Sequence, residues 1–221
     1  MAKRLFVLAA LLTLGLAPSA YAQKVEVSGI FGWTLSDGVT GQATLAGDGN
    51  LYDTIDVKDS ASWGFSVGVN ATEQFEVGFL YGQQMSTLAI EGTQVRDIGD
   101  LKINTYHPYI TYNAGDSSMT VRPYFMIGLG ATNYGSVAFT TAQGNARETA
   151  SETQFSTTWG AGVKMFPSPN VGIRFGAQWT PTYIKTDAAG YWCDPYWGCY
   201  VVGDAQYSNQ FQFNGGIVFR F

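Results

Sequence analysis

Six charged residues sit within the cores of strand-like stretches of this chain, and all six fall on the parity opposite the large apolar side chains. Glu26, Glu76, Arg122, Lys164, Arg174 and Arg220 alternate with neighbours that are mostly aromatic or β-branched. The end of the chain shows the pattern best. Tyr207, Phe211, Phe213, Ile217, Phe219 and Phe221 share one parity, and Ser208, Gln210, Gln212, Asn214, Gly216 and Arg220 the other. A period of two means extended strand with one apolar and one polar face. An Arg or Lys at a lipid midplane costs roughly 2–4 kcal/mol, so strict sorting of charge is what a bilayer enforces on a strand.

The beginning of the chain points to export. Residues 1–22 open with Lys3 and Arg4, continue through an apolar run over 5–17 and end in Ala20-Tyr21-Ala22. This is the pattern of a cleaved signal peptide, leaving a mature chain that starts at Gln23 and forms one domain over 23–221. Without Lys3 and Arg4, 10 basic residues face 17 acidic ones, a net charge near −7. That balance supplies no basic patch for nucleic acid or anionic headgroups. No later run approaches the ~20 apolar residues of a membrane helix. An exported chain with 27 Gly, 33 aromatic residues and 13% charge therefore points to the other structure that satisfies its backbone in lipid, a closed β-barrel.

Eight strands are expected. The first covers about 25–34, with Val25, Val27, Phe31 and Trp33 against Glu26, Ser28, Gly32 and Thr34. A long polar stretch over 35–60 follows. The second and third strands, about 61–72 and from Phe75 to Met85, flank the tight Thr72-Glu73-Gln74 connection, and a loop is expected around 91–97. The fourth, about 102–113, places Tyr106, Pro108, Ile110 and Tyr112 outward and His107 and Tyr109 inward, while Asp100 and Lys102 break the lipid-face pattern. The fifth spans 119–134. The sixth runs from Phe155 to Met165 and is separated by Phe166-Pro167-Ser168-Pro169-Asn170 from the seventh, Val171 to Trp179; two prolines end the ladder there. Loops cover 135–152 and 185–205, and the eighth strand closes the chain. Short connections after strands two, four and six alternate with long ones, which predicts an all-β, eight-stranded antiparallel transmembrane barrel with short periplasmic turns and longer extracellular loops.

A soluble barrel also alternates but turns its bulky apolar face inward. Here the small polar face, rich in Gly, suits the narrow lumen of eight strands. The Phe, Trp and Tyr face is too bulky for it and belongs to lipid. The lumen should then hold the six charges, with His107, in its periplasmic half. Two carboxylates and four cations would pair there, because an unpaired buried charge costs several kcal/mol. His107 falls beside Glu76 on the neighbouring strand, a plausible hydrogen-bond partner. The network reads as a structural plug or, with its excess of cations, as the filter of an anion-preferring passage.

Cys193 and Cys199 are the only cysteines. In an exported chain, a short Cys pair in a Pro- and Gly-containing loop reads as a disulfide. Tyr191, Trp192, Tyr196, Trp197 and Tyr200 cluster around it and form a candidate recognition patch; otherwise they fold over the barrel mouth or rest at the membrane interface. No set of residues has the spacing of a metal site. The acidic first loop, with Asp37, Asp48, Asp53, Asp56 and Asp59, matches no calcium-loop pattern. No cofactor motif is present either, since no helix follows Gly128-Leu129-Gly130.

The closing Asn214-Gly215-Gly216-Ile217-Val218-Phe219-Arg220-Phe221, the Arg122-Pro123-Tyr124…Gly128-Leu129-Gly130-Ala131 stretch and the eight-strand rhythm resemble the OmpA/OmpX-like superfamily of small outer-membrane barrels. That resemblance implies an assembly signal carried by Asn214, Gly216, Phe219 and Phe221, read by the barrel assembly machinery. It implies periplasmic chaperones during biogenesis, and outer-membrane lipid and lipopolysaccharide as surroundings. The expected state is a monomer. Superfamily membership fixes address better than activity. The first expectation is a non-enzymatic barrel, structural or presenting loops for adhesion or recognition. The alternative is a small channel for a hydrophobic or anionic solute. A lipid-modifying enzyme comes third, because His107 lacks a persuasive catalytic set and no catalytic residue can be named.

Overall fold

Fourteen strands and no helix make up the described residues of a computed structural model, 25–45, 50–116, 118–140, 146–184, 193–194, 198–199 and 206–221; for 40–45, 140, 193–194, 198–199 and 206 only the backbone is described. In order they are β1 (Val25–Ser36), β2 (Val39–Leu45), β3 (Leu51–Val57), β4 (Ser60–Asn70), β5 (Phe75–Gly92), β6 (Arg96–Asn113), β7 (Val121–Tyr134), β8 (Ala138–Thr140), β9 (Ala146–Glu148), β10 (Glu152–Met165), β11 (Val171–Ile184), β12 (Cys193–Asp194), β13 (Gly198–Cys199) and β14 (Gln206–Arg220). Eight of them, β1, β4, β5, β6, β7, β10, β11 and β14, form a closed antiparallel ring, completed by the β5–β6 and β1–β14 pairings. At the seam, Val25 and Phe221 exchange backbone hydrogen bonds of 3.2 and 2.9 Å. Closure leaves no barrel edge to satisfy in lipid.

Alternation survives in space. Phe31, Phe65, Phe79, Phe125, Phe175 and Phe213 point out and are exposed, while all six charges are buried. Arg122 retains 1% of its surface and Phe31 70%, which places the lipid on the aromatic side. Tyr106, Ile110 and Tyr112 of β6 face outward and His107 and Tyr109 inward.

Beyond the expected loop boundaries, strand structure continues. The polar stretch after β1 forms the β2–β3 hairpin, and β3 adds to the upper half of β5. The stretch expected as a loop around 91–97 narrows to a turn at 93–95, since β5 and β6 are 18 residues each. The loop expected over 135–152 holds the β8–β9 hairpin. Asp100 and Lys102 keep the backbone alternation of β6. What inverts is the environment: Leu101 and Ile103 turn inward and pack with Val57, Leu88 and Val137. This cluster lies where β3 adds to β5, toward the end of the barrel opposite the short turns.

Candidate functional site

At the end with the short turns, the lumen is filled by a layer of charge. Cross-strand register sets its level: Arg122 is opposite Lys164, Lys164 opposite Arg174, and Glu26 opposite Arg220. The cations come from four adjoining strands, β7, β10, β11 and β14, and the carboxylates from β1 and β5, so charge is segregated across the barrel. Lys164 Nζ bridges the two sides, 2.7 Å from Glu26 Oε2 and 2.5 Å from Glu76 Oε2. Arg220 donates through Nε and Nη2 to Glu26 Oε1 at 3.1 and 2.8 Å, and its guanidinium lies 3.8 Å over the Phe166 ring. Phe166, expected as part of a stiff turn, thus turns in as the floor. The Tyr109 hydroxyl donates to Glu76 Oε1 at 2.6 Å.

Among the described residues, Arg122 and Arg174 make no ion pair with a carboxylate of the layer. Arg122 donates to the Glu73 carbonyl at 2.6 Å. Arg174 donates to the Tyr124 hydroxyl at 2.8 Å, with its guanidinium 5.0 Å from that ring. The Nε atom of each is buried and has no hydrogen-bond partner. Above them Tyr109 and Tyr124 pack with Ile30, Leu80 and Met126, an apolar disc inside the barrel that the alternation pattern left out.

His107 is inside but apart from the ion pairs. Its partner is Ser156, with Nε2 2.9 Å from the hydroxyl, and not Glu76, whose oxygens are taken by Lys164 and Tyr109. Opposite His107 on β5 lies Leu80, and Glu76 lies opposite Thr111, so β5 and β6 pair four residues away from the register that would bring Glu76 to His107. Ser156 also accepts from Thr132, which accepts from Thr182. His107 Nδ1 is unpartnered, so no carboxylate completes a hydrolase-like set.

Over the apolar disc is a cleft of about 470 Å³, counting the space at its mouth, with Ile30 and Leu80 on its floor and Gln84, Gln178, Gln210 and Gln212 among its polar walls. Its amides are tied together, Gln210 to Gln84 at 2.8 Å and Gln212 to Ser62 at 2.7 Å. The residues Asn214, Gly216, Phe219 and Phe221 lie on or just after β14, with Phe219 and Phe221 exposed on the lipid side. In the β12–β13 ribbon, Cys193 is the register partner of Cys199. Tyr191, Trp192, Tyr196, Trp197 and Tyr200 lie outside the described residues.

Closed ring, lipid-facing aromatics and buried lumenal charge coincide with a match of residues 6–221 to the outer membrane protein beta-barrel domain family. The chain belongs to that family. Solved barrels agree in fold. The outer membrane protein OprG from Pseudomonas aeruginosa is similar with a TM-score of 0.65 at 13% identity, over 90% of this chain and 96% of that one. AlkL, solved in lipid bilayers, gives 0.53 at 13% identity, over 93% and 94%. Neisserial surface protein A gives 0.52 at 13% identity, over 92% and 100%. Identity this low carries the fold and no activity. Among curated proteins none matches.

Proposed function

We propose that the chain is a non-enzymatic outer-membrane barrel with a plugged lumen, and that its work is done by the structure standing on its extracellular end, through adhesion or recognition. One observation carries this reading: Lys164 holds Glu26 and Glu76 together across the lumen, between the Phe166 floor and the apolar disc. A passage at that level requires breaking buried ion pairs, each break costing about 3–5 kcal/mol. The proposal includes export with cleavage after Ala22, recognition of Asn214, Gly216, Phe219 and Phe221 by the assembly machinery, and a Cys193–Cys199 disulfide shaping the loop over 185–205. It also includes a monomeric state among outer-membrane lipid and lipopolysaccharide.

A second reading, a channel for a hydrophobic or anionic solute, draws support from the two lumenal arginines without a carboxylate ion pair and from the cleft above them. Single-channel recording of the folded protein in a planar bilayer decides between the two. The plug predicts no steady conductance from wild type. Steady conductance that changes in Arg122→Ala and Arg174→Ala would replace the plug by the channel, with the charge layer as its filter.

A further inference from the structure

We propose that the lipid-facing wall of β4, β5 and β6 carries a docking site for one lipid A, the phosphorylated glucosamine anchor of lipopolysaccharide. Trp63, Tyr81, Gln83 and Asn104 share the outward parity of Phe65, Phe79 and Tyr106 and are joined side chain to side chain. Trp63 Nε1 donates to Gln83 Oε1 at 3.1 Å, and Gln83 Nε2 to Asn104 Oδ1 at 2.9 Å. The Tyr81 hydroxyl donates to the same Asn104 oxygen at 3.0 Å. Its ring packs against Trp63 and Tyr106, with centroids 5.8 and 5.4 Å apart. Amides on a lipid-facing wall are costly unless bonded, and here two are held together over an aromatic platform. Among the described residues, the Trp159 and Trp179 indoles each meet one polar side chain, Thr157 and Asn209, with no second amide bonded to it.

The height of the patch selects its occupant. Gln83 and Asn104 each lie eight residues from the short-turn end of their strands, counted from Phe75 and Tyr112. That is a climb of roughly 20 Å at ~3.3 Å per residue and ~40° tilt, close to the far boundary of the ~25 Å apolar band. With the short turns periplasmic, acyl chains of the outer leaflet give way to headgroups there. Among the described residues Asn104 uses only Oδ1 in hydrogen bonds, which leaves its Nδ2 donors to a partner. Aromatic rings beside amide donors suit a sugar ring that carries hydroxyl and amide groups. One step farther out on the same face, Lys102 is exposed. Asp100 lies two residues beyond it, so a phosphate at the edge of the apolar band meets the lysine first. A phospholipid would bring the phosphate but no sugar ring to the patch below.

The inference rests on residence in the outer membrane and is independent of the plugged reading of the lumen. The full chain, folded in detergent, is titrated with lipid A, with lipid A stripped of phosphate and with phosphatidylglycerol, and bound lipid is counted by native mass spectrometry. One lipid A per barrel is expected, at concentrations where phosphatidylglycerol is not retained. Asn104→Leu, which keeps the wall compatible with lipid, should weaken it about tenfold. Lys102→Gln, at an exposed position outside the network, should weaken it by a similar factor and leave the dephosphorylated form unaffected. Asn209→Leu, beside the Trp179 indole, should change nothing. Equal retention of lipid A and phosphatidylglycerol overturns the site, as does unchanged affinity in Asn104→Leu and Lys102→Gln. An equal loss in Asn209→Leu also overturns it, because the contact would then belong to the whole aromatic girdle. A barrel that conducts while holding lipid A loses the plug and keeps the site; a silent barrel that treats the two lipids alike keeps the plug and loses the site.

Discussion

Lys164 is the residue on which most of the lumenal pairing depends. Replacing it with Met leaves Glu26 and Glu76 facing each other without the shared cation, and removing one partner of a buried pair costs about 3–5 kcal/mol. The urea midpoint of Lys164→Met, followed by Trp fluorescence in lipid vesicles, should fall accordingly. An unchanged midpoint would show that the bridge contributes nothing. Parity alone placed this side chain inside, because lipid tolerates no such charge. Parity could not say which carboxylates it meets. Its partners lie 138 and 88 residues away in the chain, on strands that do not adjoin β10. Strand stagger decides such contacts, and stagger leaves no local trace. The same holds for His107, where proximity on neighbouring strands suggested Glu76 and the register delivered Ser156 instead.

Among the elements, the strand ends departed furthest from expectation. Inside lipid the apolar residues face out. Above it, Leu88, Leu101 and Ile103 face in, so the lipid-face pattern reverses while the backbone alternation continues, and a strand there looks like a loop to a search for one pattern. Prolines left a second signal: the β6–β7 ladder skips His107 and Pro108, and the β10–β11 ladder skips Thr157 and Thr158 opposite Thr180 and Pro181, where proline offers no N–H. Two predictions belong at this scale. In β3, burial raises the Asp56 carboxyl above its usual value, and Asp59 and Asp37 add to this against the backbone hydrogen bond with Val57 and the charge of Lys58. A carboxyl raised on folding stabilises below its unfolded value and loses that contribution as pH climbs through the folded one. Amide exchange in β3 should therefore slow on acidification through the carboxylate range, and Asp56→Asn should abolish that dependence. A pH-independent exchange rate, after correction for intrinsic chemistry, would refute it. In the β12–β13 ribbon, the cysteine pairing predicts that denatured, unreduced protein takes up no alkylating reagent. Reduction should cost at most ~2–3 kcal/mol, given so small a ring. Labelling of both thiols before reduction would exclude the bridge.

For the whole molecule, strand count, turn asymmetry and the lipid-facing side were legible, because each follows from repeating local rules. The plug's ion pairs and the apolar disc were not, because they join residues from strands far apart around the ring; nor was the apolar cluster of β3, β5 and β6, which depends on where the lipid-facing pattern stops. Phe221 allows assembly to be separated from stability. Its side chain is exposed, and Phe221→Ala keeps the backbone bonds to Val25, so refolding into lipid should stay within about 0.5 kcal/mol of wild type. Yield of folded protein in the outer membrane of cells should nevertheless drop. Equal yields would remove Phe221 from the assembly signal. The long β5–β6 hairpin has a mechanical consequence. Its 18-residue strands climb roughly 45 Å at ~3.3 Å per residue and ~40° tilt, about 20 Å more than the ~25 Å apolar band. With β3 bonded to β5 as a third stave, the tip is a mast stepped in the hull rather than a line trailing from it. A pull at the tip would rock the barrel in its bilayer before it stretched the chain.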